Sequence, residues 1–194
     1  MFTQLLKRQF TTQDYHQMVV AGILSEDERV ELIQGEIVKI SPIGIRHASC
    51  VNRLLKLFSQ SLGDRATVIV QNPVVVLNNL SEPQPDLALL KPCDEFYATG
   101  HPQPQDILLL VEVADTTIES DFAERTLRER AIKIPLCASS GITEVWLIDV
   151  NEQVIEVFRE PTANSYQNIQ KFQQGEIFVQ AFPDVSFAVE QIVG

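Results

Sequence analysis

No two of the three cysteines stand close together. Cys50, Cys93 and Cys137 form no CxxC pair, which argues against a cysteine zinc site and against a disulfide framework. Reduced, packed thiols are expected instead. The histidines are equally dispersed. No apolar run approaches the roughly 20 residues of a membrane span, so no membrane partner is expected. Met1 to Gln13 carries two positive charges but neither an apolar core segment nor a small-residue cleavage site. A mature cytoplasmic start is therefore expected. No repeat, low-complexity tract or Gly/Ser linker divides the chain, and residues 1–194 are read as one domain.

Basic charge is scarce. Lys and Arg number 15 against 26 Asp and Glu, for a net charge of -11. That counts against a strong non-specific hold on a polyanion. Two considerations soften it. A metal-binding cleft concentrates carboxylates, and a bound divalent cation offsets part of their charge. Arg125, Arg128, Arg130 and Lys133 could also form a local basic face. The bland alternative is that they pair with neighbouring glutamates on a solvated helix.

Apolar residues make up 45% of the chain, enough for a real core. Thr12 to Ala21 reads as a short helix capped by Thr11 or Thr12 and ended near Gly22. Val30 to Ile33 and Glu36 to Ile40 flank Gln34-Gly35 and predict a β-hairpin. Ser41-Pro42-Ile43-Gly44 breaks the pattern. Val51, Leu54, Leu55, Phe58 and Leu62 recur at helical spacing within Arg46 to Leu62, with Gly63 suited to the C-cap. Strands are expected at Ala66 to Val70, Pro73 to Leu77, Asp86 to Leu90 and Ile107 to Val113. Asp121 to Ser139 is helical in pattern. Glu144 to Val150 and Val154 to Arg159 predict a strand pair. Tyr166 to Phe172 and Glu176 to Val179 predict a further hairpin at Gln174-Gly175. This mixture implies an α/β or α+β fold, a sheet with helices packed on it and added β-hairpins.

The informative feature is acids embedded in apolar strands. Glu112 sits within Leu108-Leu109-Leu110-Val111-Glu112-Val113. Desolvating a charge there costs on the order of several kcal/mol unless something compensates it. A metal ion, a buried arginine or a strand-end location near solvent would each do so. Asp86 heads a strand directly after Glu82-Pro83-Gln84-Pro85, whose prolines stiffen the approach. Two rigidly presented carboxylates on adjacent strands suit Mg²⁺, or Mn²⁺, which takes few protein ligands and several waters. Trp146, between Val145 and Leu147, reads as core rather than as a base-stacking platform.

Pro85-Asp86 followed by Glu112 with apolar flanks resembles the PD-(D/E)XK nuclease superfamily. More closely, the chain resembles the bacterial Uma-two-type restriction endonuclease family. The matching segments are Glu31-Leu32-Ile33-Gln34-Gly35-Glu36-Ile37-Val38, Ser41-Pro42-Ile43-Gly44 with His47 soon after, and Ser81-Glu82-Pro83-Gln84-Pro85-Asp86-Leu87-Ala88. They continue with Val111-Glu112-Val113-Ala114-Asp115, Lys133-Ile134-Pro135-Leu136, Gly141-Ile142 and Glu144-Val145-Trp146-Leu147-Ile148-Asp149. The resemblance implies a restriction-endonuclease-like mixed sheet flanked by helices. It implies Asp86 and Glu112 as metal ligands, the Val113 carbonyl as a further one, and Glu31 as a third acid.

The superfamily motif also has a lysine two residues after the glutamate, where this chain carries Ala114. In this family the lysine is expected from the following helix, and Lys133 is the match. The stretch Thr116 to Arg130 is longer than the family norm, so ungapped counting puts Arg125 in the lysine slot instead. On one helix these two would lie about 80° apart around the axis and about 12 Å along it. Arginine is a poor proton acceptor, so Lys133 is the expected residue. Cys137 stands where the family usually has tyrosine. His47, opening the long helix, and Gln71, at a strand end, are candidate substrate contacts.

The expected activity is Mg²⁺-dependent hydrolysis of phosphodiester bonds in DNA, with weak local binding aided by homodimerisation. The alternative is a catalytically impaired nucleic-acid-binding or regulatory module that keeps the fold.

Overall fold

Gln34 and Gly35 both take positive φ, 50° and 78°, the conformation that lets a two-residue turn match the twist of the strands it joins. They connect β1 (Val30–Ile33) to β2 (Glu36–Lys39) in an antiparallel pair. The computed structural model describes residues 7–25, 27–40, 43–74, 79–115 and 129–194. Helix α1 (Thr12–Val20) precedes the hairpin and begins with a reciprocal capping box between Thr11 and Asp14. Helix α2 (Ile45–Leu62) follows it and buries His47, Cys50, Val51, Leu54, Phe58 and Leu62.

The main sheet has six strands: β3 (Thr67–Val70), β4 (Leu87–Leu90), β5 (Ile107–Ala114), β6 (Glu144–Asp149), β7 (Val154–Pro161) and β8 (Tyr166–Phe172). They lie in that spatial order. Only β5 and β6 pair in parallel; the other pairings are antiparallel. A parallel neighbour needs a crossover. It ends in a π-helical turn, Glu129–Lys133, that runs into α3 (Ile134–Ser139).

Both faces of the sheet are covered, so its central strands are near-continuous apolar runs. Leu87 and Leu89 of β4 and Leu109, Val111 and Val113 of β5 face α2. Trp146 lies in the same core, fully buried, with its ring 5.9 Å from that of Phe58. It is core, as its apolar flanks predict. The alternate residues Ala88, Leu90 and Leu110 pack instead with Ile134, Leu136 and Cys137 of α3.

One expectation is corrected, and two fall partly outside the described residues. Pro73 and Val74, the described part of the strand expected at Pro73 to Leu77, lie outside any strand, and β3 pairs with β4. The helix expected at Asp121 to Ser139 is, where described, a π turn followed by a short α-helix; residues 121–128 lie outside the described residues. Pro135 supplies the physical reason. It has no N–H to offer the carbonyl of Ala131, which disfavours a regular α-helical turn there. Finally, no hairpin forms between β8 and β9 (Glu176–Phe178). Strand β9 pairs with β10 (Ser186–Ala188), ahead of α4 (Val189–Val193). Ile177, Phe187 and Val189 thereby join the α2 core, and that burial decides the partner.

Candidate active site

Strand register brings Asp86 and Glu112 together. Leu87 pairs with Val111 and Ala88 with Leu110, so Asp86, just before Leu87, and Glu112, just after Val111, lie at the same end of the β4–β5 ladder. Asp86 lies just outside β4; Glu112, alternating with Val111 and Val113, lies on the face of Leu110, on which α3 packs.

Lys133 comes to this face from the end of the π turn. Its Nζ lies 3.1 Å from Glu112 Oε1 and 3.2 Å from Glu31 Oε2. All three side chains are buried. Glu31 is placed by its hairpin, which docks on the segment leading to Asp86. Leu32 bridges to Glu82, Gln34 N–H donates to Ser81 Oγ at 2.9 Å, and Gln84 N–H donates to Glu31 Oε2 at 3.2 Å.

Asp86 has a different set of neighbours. Its Oδ2 accepts the Val113 N–H at 2.7 Å, and its Oδ1 lies 2.8 Å from His47 Nε2. His47 is 1% exposed, and neither ring nitrogen makes a hydrogen bond. The Asp86 contact is thus close but not aligned. The His47 amide N–H donates to Asp115 Oδ2 at 3.3 Å, tying the start of α2 to the end of β5.

The expected residues fall out as follows. These contacts form two groups, Lys133 with Glu112 and Glu31, and Asp86 with His47 and the Val113 amide. Val113 contributes its amide to Asp86. Gln71, at positive φ beyond β3, donates its N–H to the Asp86 carbonyl at 3.3 Å. Arg125 lies outside the described residues. Cys137 is buried on the α3 side.

Carboxylate oxygens are the donors hard divalent cations prefer. The donor set therefore fits such a cation. Among the described residues, however, the three acids do not form a tight ligand triangle, since Lys133 stands between Glu31 and Glu112. The triangle that exists is His16, Glu82 and His101. Sequence reading missed it because those residues are scattered and only folding joins them.

A second buried acid also escaped notice. Glu144, fully buried, accepts from Arg159 Nε at 2.9 Å, Trp146 Nε1 at 2.8 Å and the Gln180 amide at 2.6 Å. Its compensation is complete, and it is structural.

Among solved structures, the chain is similar to one described as "a putative nuclease belonging to DUF820 from Anabaena variabilis ATCC 29413". The TM-score is 0.69 at 16% identity, covering 95% of this chain and 97% of that one. At that identity the likeness shows the fold, a mixed sheet flanked by helices. No curated protein matches. Among the described residues, no helix is long and apolar enough to cross a membrane. The model of the Uma2 family, described as "Putative restriction endonuclease", matches residues 12–190, and the chain belongs to that family.

Proposed function

We propose that this chain is a Mg²⁺- or Mn²⁺-dependent endonuclease that hydrolyses phosphodiester bonds in DNA. The observation that carries the reading is the placing of Asp86 and Glu112 at the same end of the paired strands β4 and β5, with the Lys133 ammonium 3.1 Å from Glu112. Asp86, Glu112 and the Val113 carbonyl would hold the cation, with Glu31 as the accompanying acid. When bound, the cation supplies Lewis-acid polarisation of the phosphate and a lowered pKa for water.

Lys133 orients the attacking water and balances the charge that develops on phosphorus. In the resting arrangement it is held between two carboxylates, which fixes its position before substrate arrives. His47 lies beside Asp86 and is the candidate phosphate contact at the start of α2. Arg125 and Gln71 are the further candidate substrate contacts. The acidic chain leaves weak local affinity for DNA, and two copies acting as a homodimer would present one site to each strand. We treat residues 1–194 as one domain working in the cytoplasm.

One observation favours the alternative, a nuclease fold retained for nucleic-acid binding or regulation. Glu31, Glu112 and Lys133 close on one another with little exposure. Incubation of supercoiled plasmid with Mg²⁺ or Mn²⁺ separates the two. The nuclease reading expects nicking that disappears in Asp86→Asn and Glu112→Gln. DNA binding with no cleavage at any metal concentration would leave the module in its place.

A further inference from the structure

We propose that His16, Glu82 and His101 form a second metal site, one for a late first-row divalent cation such as Zn²⁺. It stands apart from the nuclease reading and survives if that reading fails.

Three separate parts of the chain supply the ligands. His16 comes from α1, Glu82 from the segment that bridges to β1, and His101 from the loop before β5. Their candidate ligand atoms all lie within 4.8 Å of one another. His16 Nε2 is 3.0 Å and 2.8 Å from the two oxygens of Glu82, and His101 Nε2 is 4.0 Å from Oε1. In a tetrahedral zinc site with bonds of about 2.0–2.1 Å, ligand atoms sit about 3.3 Å apart. The observed spacings straddle that value. A closer approach of His101 and a slight opening of the His16 contact would complete the site.

Burial differs between the members in a useful way. Glu82 is 4% exposed and held rigidly: its N–H donates to the Leu32 carbonyl at 2.7 Å, and Pro83 follows it. The histidine side chains are 48% and 41% exposed. An ion therefore has an entry path, a fixed anionic base and room for a water as fourth ligand. His101 is steadied by Gln103, whose side-chain amide donates to the His101 carbonyl at 3.0 Å. The two imidazoles are 5.8 Å apart and tilted by 56°, so they do not stack. What they share is the carboxylate. One hydrogen bond from His16 would satisfy Glu82 alone and gives no reason for His101 to approach.

Donor chemistry sets the cation. Two imidazole nitrogens and one carboxylate suit zinc and its neighbours, whereas Mg²⁺ and Ca²⁺ prefer oxygen alone. A bound ion would fasten α1 and the His101 loop to the segment that continues through Pro83 and Pro85 to Asp86. The consequence is a clamp on the stretch of backbone that presents Asp86.

The test is calorimetric titration of the full chain with Zn²⁺, repeated with Co²⁺ while following visible absorption. His16→Ala, His101→Ala and Asp86→Asn are compared with the unmodified chain. Zn²⁺ is expected to bind at a site whose Kd rises at least tenfold in each histidine variant and stays unchanged in Asp86→Asn. The Co²⁺ spectrum is expected to be tetrahedral in intensity and to vanish in the same two variants. Both histidines are half-exposed, so these variants should fold, and circular dichroism checks that they do. Absence of Zn²⁺ binding, binding unchanged in either histidine variant, or binding lost in Asp86→Asn would each overturn the site.

Discussion

Nε2 of His47 lies 2.8 Å from Oδ1 of Asp86, in a place almost sealed from solvent. The imidazole makes no hydrogen bond there, so packing alone does not account for its polarity. In the nuclease reading it acts on whatever Asp86 holds. His47→Ala should lower plasmid cleavage at least tenfold and raise the Mn²⁺ concentration needed for half-maximal rate. Cleavage at the unmodified rate over a full Mn²⁺ titration would remove His47 from the site.

Lys133 between Glu31 and Glu112 makes a prediction about stability. Removing one partner of a buried ion pair leaves charge uncompensated, at a cost of about 3 kcal/mol or more. Lys133→Met should therefore melt several degrees lower. A divalent cation can take over the role of the ammonium, so Mg²⁺ or Mn²⁺ should raise the Tm of Lys133→Met more than that of the parent. Adding Glu112→Gln should recover part of the loss and abolish the metal response. A Lys133→Met chain that melts like its parent would show that the ammonium does not hold these carboxylates.

The thiols should divide into one accessible and two protected. Cys50 and Cys137 are buried, whereas Cys93 is partly exposed. Burial pushes the Cys50 thiol up from its ordinary 9.0 to about 12, with Arg53 opposing and Asp86 adding to the rise. At neutral pH a thiol reagent should label Cys93 in the native chain and all three in denaturant. The raised value also has a sign for stability. The unfolded chain releases the Cys50 proton near pH 9, while the folded one keeps it. Its contribution is complete below pH 9 and declines as pH rises toward about 12. Cys50→Ala should flatten the alkaline fall of Tm. An unchanged slope would contradict the assignment.

Much of this site was legible because its residues sit in strong local patterns. The apolar run around Glu112 marked a buried strand, and the prolines before Asp86 marked the stiff approach to the next. The Gln34-Gly35 turn likewise announced the hairpin carrying Glu31. What escaped had no local signature. Local alternation around Gly175 describes a turn between β-like segments, but it cannot say that Ile177 gains more by packing with Phe187 than by following β8. His16 and His101 are 85 positions apart and carry no spacing rule. Glu82 was visible only as part of a stiff segment, and its burial depends on β1 docking beside it.

Pro135 offers the sharpest separation of stability from activity. It follows the π turn that ends at Lys133 and enters α3. Pro135→Ala restores an N–H that can bond the Ala131 carbonyl in ordinary α-helical fashion. Closing a π turn changes helical register by one residue, about 100° of rotation and 1.5 Å of rise. Lys133 would then swing away from Glu112. Alanine also suits a helix better than proline does. Stability should hold or rise while cleavage falls at least tenfold. Thermal melts and plasmid assays on the same preparation measure both. A variant that is more stable and equally active would mean that the π turn does not position Lys133.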